Sequence, residues 1–71
     1  VSYQIETSQG RVFHVVIDTL AGAQFQARRL AEDHAEAIGG TIDYTADLDW
    51  YYVMNGHGGV VEVYMVITTG Q

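Results

Sequence analysis

The chain contains no cysteine and no lysine, and no apolar run approaches the roughly 20 residues that cross a bilayer. Without cysteine there is no disulfide staple, no thiolate metal site and no thiol nucleophile. Without lysine, Arg11, Arg28 and Arg29 face nine carboxylates, and the formal net charge is −6. The bases also stop early. After Arg29 come Glu32, Asp33, Glu36, Asp43, Asp47, Asp49 and Glu62, with no Lys or Arg among them. A surface of one sign steers basic proteins toward it and repels nucleic acid. The expected partner is therefore a basic protein surface, with no direct binding to nucleic acid or to a membrane. A genome poor in lysine codons would give the same imbalance without selection on the surface. No signal peptide is visible, and the sequence reads as cytoplasmic.

What is present is a 48% hydrophobic fraction in 71 residues, which excludes bulk disorder and makes residues 1–71 one small domain. A core of this size gives a net stability of only about 3–5 kcal/mol. The chain needs an economical core, an oligomer or a partner.

Residues 1–7 alternate, with Val1, Tyr3 and Ile5 on one side and Ser2, Gln4 and Glu6 on the other, the period of a half-buried strand. Ser8, Gln9 and Gly10 make a turn, with the glycine supplying a positive φ. Residues 11–18 form the second strand of a hairpin, with Phe13, Val15 and Ile17 toward the core and Val12, His14 and Val16 away from it. Thr19 or Asp18 can cap a helix. Its stripe of Leu20, Ala23, Ala27, Leu30, Ala31, His34 and Ile38 recurs at helical spacing, and Gly39 and Gly40 end it. Residues 41–45 are a short strand or an extended connection. Residues 47–54 are a strand centred on Trp50, Tyr51 and Tyr52, residues 55–59 a glycine-rich loop, and residues 60–69 the last strand. The order ββαββ predicts an α+β fold, a four-stranded, mainly antiparallel sheet with one helix packed on one face.

One helix covers one face of such a sheet. If Trp50 and Tyr52 face the helix, the bare face carries Val12, His14, Val16, Tyr51, Val53, Val60, Tyr64 and Val66, too apolar for a surface left in water. Phe25 falls opposite the helix stripe, among Arg29, Glu32 and Glu36, where an aromatic ring can anchor a contact; a later helix start would instead pack it at the sheet edge. Glu32, Asp33 and Glu36 lie on the solvent side of the helix, and Asp43, Asp47 and Asp49 in the segment after it. If that segment returns along the helix, six carboxylates border one region. DNA presents one phosphate per roughly 1.7 Å of axis, a spacing that carboxylates can imitate. The plainer alternative is a solvated face that keeps a small domain apart from its neighbours.

No metal, cofactor or catalytic residue is expected. Asp43, Asp47 and Asp49 lack the pattern of an EF-hand loop, and His14, His34 and His57 lack any motif spacing. His34 reads as a packed, hydrogen-bonded histidine. Ser2 and Ser8 stand in no nucleophile elbow. Trp50 and Tyr52 could stack on a small ligand, although aromatics at such positions are usually core.

An acidic chain of about 70 residues, with one helix on a small antiparallel sheet and no catalytic motif, resembles the phage-encoded anti-CRISPR proteins that inhibit type I systems. The resemblance covers the whole chain and rests on size, charge and element order. It implies a non-enzymatic inhibitor in the host bacterial cytoplasm that binds a Cascade-type effector complex and blocks access to target DNA, by acidic mimicry of DNA in one form. The candidate contact residues are Glu32, Asp33, Glu36, Asp43, Asp47 and Asp49, with Phe25 or Tyr51 as an apolar anchor. The rival reading is a structural or accessory module that self-associates through its apolar sheet face. A monomer or weak homodimer is expected.

Overall fold

Gly10 takes a left-handed conformation (φ 85°) and closes the turn between β1 (Ser2–Thr7) and β2 (Val12–Ile17). The Thr19 side chain accepts from the Gly22 amide at 3.1 Å and starts α1 (Leu20–Ile38), which ends on the left-handed Gly39 at φ 70°. Then follow β3 (Thr41–Thr45), β4 (Trp50–Met54) and β5 (Val60–Thr69). The computed structural model describes residues 2–47 and 49–69, without the side chains of His14, Val15 and Val16. The facings expected for Val1, His14, Val15 and Val16 lie outside the described residues.

The five strands form one antiparallel sheet in the order β2-β1-β5-β4-β3, with α1 across one face. The α+β architecture is as expected, with one strand more. Residues 41–45 are a full strand because they pair residue for residue with β4, from Thr41 opposite Met54 to Thr45 opposite Trp50. Conversely, β4 begins at Trp50 rather than at residue 47, since Asp49 sits at φ 52°, outside the extended region.

The helix lies on the sheet through Ala23, Ala27, Ala31 and Ala35, all buried. Leu20 and Ile38, expected on the core stripe, are exposed at its two ends. Beneath the alanines, the sheet contributes Ile5, Tyr51, Val53 and Tyr64, with Phe13, Leu30, Ile42 and Val66 packed around them.

This reverses the expected facing of β4 and β5. Tyr51, Val53, Tyr64 and Val66 lie under the helix, and Trp50 and Tyr52 take the bare side. The cause is local ambiguity. Three successive aromatics in β4 fit either facing, and the alternation of β5 reads with Glu62 outward. Glu62 is in fact 2% exposed, on the helix side.

Candidate functional site

The densest polar cluster among the described residues surrounds Glu62. The β1–β2 hairpin places Arg11 beside the helix side of β5. Its Nε donates to Glu62 Oε2 at 3.2 Å and its Nη2 to Oε1 at 2.9 Å. Nη2 also donates to the Tyr64 hydroxyl at 2.6 Å. His34, on α1, brings Nδ1 to 3.0 Å from that hydroxyl and 3.2 Å from Glu62 Oε1. The guanidinium lies 5.6 Å from the Phe13 ring centroid and 5.8 Å from that of Tyr64, within cation–π range.

Burial works to raise the Glu62 carboxyl, but hydrogen bonds from Arg11 and Thr7 and the charge of Arg11 outweigh it and hold the group below its ordinary value. The hydrogen bond to Glu62 raises Arg11 in turn. Burial, then the Glu62 charge, pushes the Tyr64 phenol up. No buried side-chain nitrogen or oxygen among the described residues lacks a partner. A cleft of about 330 Å³ opens beside the cluster, lined by Arg11, Phe13, Leu30, Asp33, His34 and Tyr64. Because the cluster's groups bond chiefly to one another, it joins the hairpin, α1 and β5. Reading the sequence for sites missed this cluster. Its signal was an arginine at the end of one hairpin and a lone glutamate in an otherwise apolar strand.

On the opposite flank of α1, Tyr44 stacks on Tyr51 with centroids 4.6 Å apart. Both phenols are pushed up, first by desolvation and then, for Tyr44, by its hydrogen bond to Asp49 and, for Tyr51, by the Asp49 charge. These rings, with Arg28, Ile42 and Asp43, line a second cleft of about 370 Å³.

The anticipated contact residues fall in several places. Asp33 borders the Arg11 cleft, whereas Asp43 borders the Arg28 cleft on the other flank of the helix. Glu32 is paired with Arg28 at 3.0 Å. Glu36 and Asp47 are exposed. Asp49 accepts from Gln24 Nε2 at 2.6 Å and from the Tyr44 hydroxyl at 3.2 Å. The acids therefore do not form one row; Arg28 and Arg11 interrupt them. Phe25 is 61% exposed, with the Arg29 guanidinium 6.0 Å from its ring centroid. Tyr51, assigned to the bare face as an anchor, is instead 6% exposed beneath the helix.

The bare face itself is ordered in cross-strand rows. Glu6, Met65, Trp50 and Thr45 are successive neighbours across β1, β5, β4 and β3, as are Val63, Tyr52 and Asp43 across β5, β4 and β3. The Trp50 and Tyr52 rings meet edge to face at 6.3 Å. No described helix is long and apolar enough to cross a membrane. No family model, curated protein or solved structure matches the chain.

Proposed function

We propose that the protein is a non-enzymatic binding module that occupies a basic surface of a nucleic-acid-binding protein complex and excludes the anionic ligand of that surface. The observation that carries this reading is the commitment of the positive charge. Arg11 is held by Glu62, Arg28 by Glu32, and Arg29 lies over Phe25. The other carboxylates of a chain with net charge −6 have no arginine partner among the described residues, so the molecule's outward field is negative.

The resemblance to phage inhibitors of type I CRISPR systems selects the first target to try. Purified Cascade-type effector is mixed with guide-matched DNA, and complex formation is followed by electrophoretic mobility. Added protein is expected to abolish the complex, and more weakly as salt is raised. Undiminished DNA binding at large molar excess of the protein overturns the inhibitor reading. The apolar bare face favours one competing reading, self-association. A homodimer that persists in high salt by light scattering would support it, because apolar burial is not screened by salt.

A further inference from the structure

The bare sheet face differs from the helix layer in both polarity and charge. Trp50, Tyr52 and Met54 on β4 and Val63, Met65 and Ile67 on β5 are each half-buried by their neighbours. β5 is the central strand and is paired on both sides, so this band is a rigid platform. The register sets a carboxylate at each side of it, Glu6 on β1 next to Met65 and Asp43 on β3 next to Tyr52. The arginines belong to the other layer: Arg28 and Arg29 are on α1, Arg11 turns to Glu62 beneath the helix, and Asp43, on the edge strand, also borders the cleft that Arg28 lines.

On the reading that the protein occupies a basic partner, we infer that the contact is made by this sheet face rather than by the acidic helix, and that the complementary surface is an apolar ridge flanked by basic side chains. Trp and Tyr are the side chains that most often anchor interfaces, and apolar contact at the centre with charge at the rim is the usual division of such surfaces. The same charges disfavour a second copy. A two-fold dimer through this face would bring Glu6 and Asp43 of both copies into one interface, and like charges at an interface cost several kcal/mol.

The test uses a synthetic amphipathic helical peptide of leucine and lysine, so that it does not depend on the natural partner. Titrated into isotope-labelled protein, the peptide is expected to shift amide resonances of β4 and β5 around Tyr52, Val63 and Met65. Tyr52→Lys with Val63→Lys is expected to weaken binding by about tenfold or more. Glu32→Gln with Glu36→Gln is expected to leave it within about twofold. A second face variant, Glu6→Gln with Asp43→Asn, nearly preserves shape and keeps the test open if the lysine pair fails to fold; it is expected to lower affinity roughly three- to tenfold and flatten the salt dependence.

Shifts centred on α1, or none at all, overturn the assignment. So does a dimer in light scattering that Glu6→Gln with Asp43→Asn strengthens, since a second copy would then be the occupant. If the effector complex is unaffected while the peptide still maps to β4 and β5, the inhibitor reading falls and the contact surface stands.

Discussion

At the residue scale, the molecule depends most on Arg11 and Glu62. The side chains are 52% and 2% exposed, so removing the arginine leaves a buried carboxylate with Thr7 and His34 as its remaining polar neighbours and little water to replace the lost bonds. Breaking a buried pair typically costs about 3–5 kcal/mol, and the partial exposure of Arg11 lowers the expectation for Arg11→Met to about 2 kcal/mol. The double variant Arg11→Met, Glu62→Met should be more stable than Arg11→Met alone, because no uncompensated charge remains. Urea unfolding of the four proteins of this cycle checks both statements; a purely additive result would show that the pair does not couple.

The same carboxylate sets an acid limb. Folding holds Glu62 below its ordinary value of 4.5. As pH falls, the unfolded chain therefore takes up this proton first. The contribution is complete above about pH 4.5 and is lost as pH drops through the folded value. Glu62→Gln should flatten stability against pH in that window, measured as denaturation midpoints from pH 6 down to pH 3.

At the scale of elements, what could be read from the sequence was local. The β1–β2 hairpin is written in alternation around Gly10, and the helix ends in Thr19 and Gly39, whose caps are formed by groups within a few residues. The facing of β4 was not legible, because Trp50, Tyr51 and Tyr52 offer a comparable aromatic to either side. The facing of β5 turned on Glu62, whose partner Arg11 lies 51 positions away. The charge imbalance was plain in the sequence, but the layer that lacks arginine depends on those two facings. One glycine also carried a signal at a distance. A Cβ on Gly40 would overlap the Met54 carbonyl oxygen, so close approach of the chain to β4 requires the missing side chain. Gly40→Ala should cost about 1–3 kcal/mol, whereas Thr19→Ala should cost about 1 kcal/mol through the lost cap. Thermal denaturation of both variants ranks them; a neutral Gly40→Ala would mean that β3 and β4 separate without penalty.

At the scale of the whole molecule, the net charge of −6 is spread around the helix flanks as well as the sheet edges. Such self-repulsion opposes the compact state, and added salt relieves it. The melting temperature should therefore rise by a few degrees between low and roughly 0.5 M sodium chloride, since about 1 kcal/mol corresponds to about 4–8 °C in a domain of this size. A fall would mean that the Arg11–Glu62 and Arg28–Glu32 pairs outweigh the repulsion. The strand order has a further consequence. The hairpin β1–β2 and the pair β3–β4 touch each other in the sheet only through β5. Translation makes β5 the last of the five, so the strand that joins the two pairs is the last to be made. The sheet can close only after β5 has left the ribosome's exit tunnel, through pairings as distant in sequence as Ser2 with Thr69.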